Sequence, residues 1–143
     1  MCLTTITTKY DPPYRQTGIG WKVFILDGYG LTSEFFSNHG LYRYNRWYTA
    51  TDANPNKRAR PYTMGFHVFN NRKDAKTWIT EADSVIRKVK YRGVTTVGTQ
   101  TWIRYDGLLL SRREVSATTV VAKEMLILPP AKRRTAKAGK RRA

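Results

Sequence analysis

Apolar and polar positions along the chain change rhythm several times, and each rhythm predicts an element. Trp21-Lys22-Val23-Phe24-Ile25-Leu26 is rich in β-branched and aromatic residues and is closed by Asp27-Gly28, so it reads as a strand ending in a tight turn. Leu31 to Asn38 reads as a second short strand or an irregular segment, and Gly40 to Thr49 alternates aromatic and polar residues as a strand or hairpin does. Gly65 to Phe69 is short and β-prone. Asn70 or Asn71 then offers a helix N-cap, and Ala75, Trp78, Ile79 and Ala82 fall at i, i+3, i+4 and i+7. That spacing predicts one short amphipathic helix over about 72–82. Further strands are expected at Val85–Arg92, Val94–Val97, Thr99–Arg104 and Thr118–Leu128, with Gly93 separating the first two. The expected class is α+β: a mainly antiparallel sheet of five to seven strands with one helix.

The ends of the chain look different. Residues 1–18 are Thr-rich and contain Asp11-Pro12-Pro13, which suggests an extended N-terminal arm. Pro129-Pro130 marks the other boundary, because proline lacks a donor and pushes its predecessor into extended geometry. A single domain over 19–128 and a basic tail over 129–143 follow. The tail holds Lys132, Arg133, Arg134, Lys137, Lys140, Arg141 and Arg142 and no acidic residue, and its other residues after Pro130 are only Ala, Thr and Gly. Like charges at that density repel and stay solvated, so the tail is expected to be disordered when free.

Charge narrows the class of partner. The 143 residues carry 26 Lys+Arg against 10 Asp+Glu, a formal net charge of +16, and residues 1–130 alone retain +9. Hydrophobic residues at 41 % and aromatics at 13 % argue against a wholly disordered chain. A lone cysteine, Cys2, argues against a disulfide-stapled secreted scaffold. No apolar run approaches the roughly 18–20 residues of a membrane helix, and Met1-Cys2-Leu3-Thr4-Thr5-Ile6 lacks the features of a secretory signal. The expectation is a basic domain without a membrane partner.

Candidate chemistry is sparse. His39 and His67 are far apart, and no Cys-x-x-Cys, His-Glu-x-x-His or clustered-carboxylate pattern predicts a metal. No Walker or dinucleotide-binding glycine loop is present, so no cofactor is expected. Cys2 would become an N-terminal nucleophile if Met1 were removed, with His67 or Glu124 assisting; the polar arm around it favours an incidental exposed thiol. His67 lies between Phe66 and Val68 and reads as a general base or, preferably, as a histidine bound to a neighbouring carbonyl.

Interleaved aromatic and basic residues are the best positive signal. Tyr42, Arg43, Tyr44, Arg46, Trp47 and Tyr48 lie together, Lys57, Arg58 and Arg60 follow in a loop between prolines, and Lys88, Lys90 and Arg92 share one face of a predicted strand. Binders of single strands combine cations with aromatic platforms in this way, although strand aromatics also serve as core.

Met1-Cys2-Leu3-Thr4-Thr5, Trp21-Lys22-Val23-Phe24, Gly65-Phe66-His67-Val68-Phe69 with Lys73-Asp74-Ala75, and Val120 to Ile127 together resemble small proteins of tailed bacteriophages and gut-bacterial mobile elements. The resemblance spans most of residues 1–128 and leaves out the basic tail. It implies a phage or mobile-element origin, hence the host bacterial cytoplasm or the virion, and brings no catalytic residues. The leading expectation is a non-enzymatic accessory protein that binds DNA, RNA or a nucleoprotein electrostatically. The expected contacts are the tail, Lys57/Arg58/Arg60, and Arg43, Tyr44, Arg46 and Trp47. The alternatives are a host-takeover, anti-defence or minor virion protein that docks another protein, and an enzyme using Cys2.

Overall fold

The computed structural model describes residues 3–33, 40–50, 65–79, 82–106 and 111–131. Among the described residues seven strands and one helix follow one another: β1 (Thr5–Lys9), β2 (Thr17–Asp27), β3 (Gly30–Thr32), β4 (Trp47–Thr49), β5 (Phe66–Phe69), α1 (Arg72–Thr77), β6 (Ser84–Asp106) and β7 (Ser111–Ile127). Every pairing is antiparallel. With so small a helix, the protein is nearly all-β.

Four of the pairings form a cycle. β2 pairs β6, β6 pairs β7, β7 pairs β5, and β5 returns to β2 through Trp21 opposite Phe69. The sheet therefore curls into a small barrel. Its closing leg depends on Gly20, beside Trp21: a Cβ there would meet the Val68 side chain and lie 2.6 Å from the Phe69 carbonyl oxygen. Only a residue without a side chain lets β5 approach so closely.

The three strands expected between Val85 and Arg104 are one strand of 23 residues. Gly93 does not break it. At φ +72° it leads into a bulge between Val94 and Thr96, and the strand changes partner there. Before the bulge β6 pairs β2, with Arg92 opposite Thr17; beyond it β6 pairs β1, with Thr96 opposite Lys9. Bulges bend strands and strengthen their twist, which a tightly curled sheet needs. Part of the expected N-terminal arm is thus a strand of the sheet.

Period-two alternation sorts the side chains. Phe24, Phe66, Val68, Val89, Met125 and Ile127 fill the interior with Leu31 and Tyr42. Their neighbours Val23, Phe69 and Ile86 face outward and are covered by α1 through Ala75, Trp78 and Ile79. Trp78 meets Trp102 edge-on, with centroids 4.3 Å apart. Each such buried side chain contributes about 1.5–3 kcal/mol relative to exposure.

The helix starts where expected. Asn71 accepts the Asp74 N–H at 2.8 Å, and Asp74 in the first turn suits the positive end of the helix dipole. It stops earlier than expected, at Thr77, so the apolar stripe is Ala75, Trp78 and Ile79. Ala82 lies exposed in a turn outside it. The Thr77 hydroxyl donates to the Asp74 carbonyl at 2.6 Å, a local bond that competes with continuing the helix. The expected Asp27-Gly28 turn is present: Asp27 Oδ1 accepts the N–H groups of Tyr29 and Gly30, joining β2 to β3. Among the described residues no helix is long and apolar enough to cross a membrane.

Candidate nucleic-acid interface

Residues directly opposed in an antiparallel pair share a face. Lys88, Lys90 and Arg92 alternate with the interior residues Val89 and Tyr91, so all three point outward, and all are exposed. Register then brings their neighbours into line. Lys90 faces Ile19 on β2 and Leu126 on β7, and Leu126 faces Trp47 on β4. Ile19, Lys90, Leu126 and Trp47 therefore form one row across four strands, spanning about 14 Å at the usual strand spacing. Ile19 is 53 % exposed and Trp47 38 % exposed.

Cations flank this row on both sides. Below it, the Lys88 ammonium and the Arg72 guanidinium lie 5.7 and 5.9 Å from the centroid of the Trp21 ring. Above it, the Arg92 guanidinium lies 4.0 Å from the centroid of Trp47 and also pairs with the Glu124 carboxylate opposite it. Arg92 is thereby held between an aromatic ring and a carboxylate. Helix α1 covers the outer surface near Val23 and Ile86 and does not extend to the Ile19–Trp47 row among the described contacts.

The aromatic segment divides into two roles. Tyr42 and Tyr48 are core: Tyr42 is buried, packs edge-on against Tyr48 at 4.8 Å, and meets Phe24 at 5.8 Å. Burial, and secondarily the neighbouring Tyr48, push the Tyr42 hydroxyl up to about 12. Burial also raises the Tyr91 hydroxyl, with Tyr10 adding to it. Tyr44 and Trp47 remain partly exposed, and both are held by arginines of β6. Arg87 Nε donates to the Tyr44 hydroxyl at 3.0 Å, while Arg92 covers Trp47. Asn45, between the two exposed rings, has φ +58° just before β4.

The remaining expected residues are dispersed. Arg43 and Arg46 are exposed in the loop before β4, and the Arg43 backbone N–H donates to the Tyr48 hydroxyl at 2.7 Å. Lys57, Arg58, Arg60, the seven tail cations and Cys2 lie outside the described residues. His67 is half-buried on β5 opposite Val121, and its carbonyl accepts from the Lys22 ammonium at 3.0 Å. Glu124, the carboxylate that a Cys2 nucleophile would enlist, is engaged by Arg92. Among the described residues no three His, Cys, Asp or Glu side chains group as metal ligands would.

Sequence reasoning found Lys88, Lys90 and Arg92 on one face and missed Ile19, Leu126 and Glu124. Their signal is the register of β2 and β7 against β6, which local patterning does not carry. No protein-family model, curated protein or solved structure matches the chain.

Proposed function

We propose that the protein is a non-enzymatic accessory protein that binds nucleic acid through electrostatic contacts with little sequence specificity. The line of exposed Lys88, Lys90 and Arg92 on the outer face, beside Trp47, supports this most directly. Exposed cations along a strand meet phosphates without reading bases, and each neutralised phosphate releases counterions. The net charge of +16 and the seven cations after Pro130 add a long-range pull on any polyanion. Resemblance to phage and mobile-element proteins supports an accessory role in the host cytoplasm or the virion.

The test is the ratio of absorbance at 260 and 280 nm after purification at low salt, repeated after a high-salt wash, with DNase and RNase applied to whatever co-purifies. A high ratio that collapses with salt is expected, and the sensitive nuclease identifies the acid. A low ratio at both salts would overturn the proposal in favour of a protein partner.

A further inference from the structure

Resting on the nucleic-acid reading, we propose that the outer face formed by Ile19, Lys90, Leu126 and Trp47 binds a single strand, of DNA or RNA, with bases stacked on the sheet. The face combines two features that a duplex does not use together. One is a line of three cations along β6, about 7 Å apart at the usual strand rise. The other is exposed apolar surface on either side of that line: Ile19 at 53 % on the β2 side, and half-buried Leu126 with Trp47 at 38 % on the other. A duplex turns its bases inward and offers phosphates and sugars to a convex surface, which leaves Ile19 and Trp47 against water or charge. A single strand offers both components at once, phosphates for Lys88, Lys90 and Arg92 and base faces for the indole and the aliphatic side chains.

The geometry around Trp47 suits a platform. Arg92 stacks on the ring and is itself anchored by Glu124, so the indole is held before any ligand arrives. A pre-positioned ring loses less side-chain entropy on binding than a mobile one. No described helix competes for the role of groove reader: α1 has six residues, and its Ala75 is buried against the barrel.

The experiment uses the full chain and three probes of equal length, oligo(dT), oligo(U) and a mixed-sequence duplex of about 20 base pairs, longer than a typical small-domain footprint. Affinities are measured by fluorescence anisotropy at one fixed salt concentration. Either single strand is expected to bind at least about tenfold tighter than the duplex. Trp47→Ala is expected to weaken single-strand binding by about 5- to 150-fold and duplex binding by much less. Trp47→Phe should recover most of the loss. If Trp47→Ala disturbs folding, Ile19→Ser removes exposed apolar surface without changing charge, and should cost roughly threefold or more on single strands only. A preference of oligo(dT) over oligo(U), or the reverse, assigns the sugar and supports the proposal equally. Duplex binding as tight as single-strand binding, or equal losses on both, would overturn the single-strand proposal and leave electrostatic binding standing. No binding of any probe at low salt would overturn both.

Discussion

Arg92 lies over the ring of Trp47, 4.0 Å from its centroid, and its other contact is the carboxylate of Glu124. The three residues come from three strands, β6, β4 and β7, and meet because β7 pairs β6 on one side and β4 on the other. Glu124 is the acidic residue paired opposite the cation line, so it offsets part of the attraction the face exerts on a phosphate.

Replacing that carboxylate should therefore strengthen binding. Glu124→Gln is expected to raise nucleic-acid affinity several-fold at low salt, with the gain shrinking as salt rises. Its stability cost should stay below about 1 kcal/mol, because the pair is exposed. Anisotropy titrations at two salt concentrations and a urea melt measure the two effects. Weaker binding would mean that positioning of Arg92 by Glu124 outweighs the removed negative charge.

At the closing leg of the barrel a single added methyl group meets backbone. Gly20→Ala sets a Cβ against the Phe69 carbonyl, which is backbone and has little room to yield. Overpacking of this kind typically costs about 1–3 kcal/mol. The urea midpoint should fall accordingly. An unchanged midpoint would show that β5 moves away from β2 without penalty.

Alkaline pH should unfold the protein partly through Tyr42. Its hydroxyl ionises near 10 when the chain is unfolded and near 12 when folded, chiefly because burial disfavours the anion. Above pH 10 the unfolded chain binds fewer protons than the native one, so stability is complete below pH 10 and is lost as pH rises through 12. The loss attributable to Tyr42 is roughly 2 kcal/mol. Tyr42→Phe should flatten this part of the stability profile. An equally steep profile in the variant would assign the alkaline loss to other groups.

The basic tail makes a separate, additive prediction. If its seven cations contact phosphates, ending the chain at Pro130 should reduce the salt slope on a single strand by about 5. A slope that does not move would confine binding to the folded domain.

Much of the fold was legible because it is local. Trp21–Leu26, the Asp27-Gly28 turn, Gly65–Phe69 and the Asn71 cap each follow from short patterns, and each is present. The reading of Gly93 as a separator failed because a glycine at positive φ ends some strands and bends others, and only the partners, Thr17 before it and Lys9 beyond it, decide which. The extent of the helix was overestimated because Ala82 continues the 3.6-residue spacing, whereas a short cap at Thr77 and Trp78 ends the turn. The candidate site was half legible. Lys88, Lys90 and Arg92 follow from period two alone. The split of Tyr42 and Tyr48 from Tyr44 and Trp47 depends on long-range pairing, Tyr42 with Leu31 and Tyr48 with Met125, and the row from Ile19 to Trp47 depends on three cross-strand registers.

The most direct test of the central claim, that the outer face of β6 is where phosphates are met, is the slope of log K against log salt for a single strand. It should be compared between the full chain and a chain carrying Lys88→Ala, Lys90→Ala and Arg92→Ala, with circular dichroism confirming the fold of both. Loss of three phosphate contacts should make the slope shallower by about 2. Identical slopes would contradict the claim and remove the sheet face from the interface.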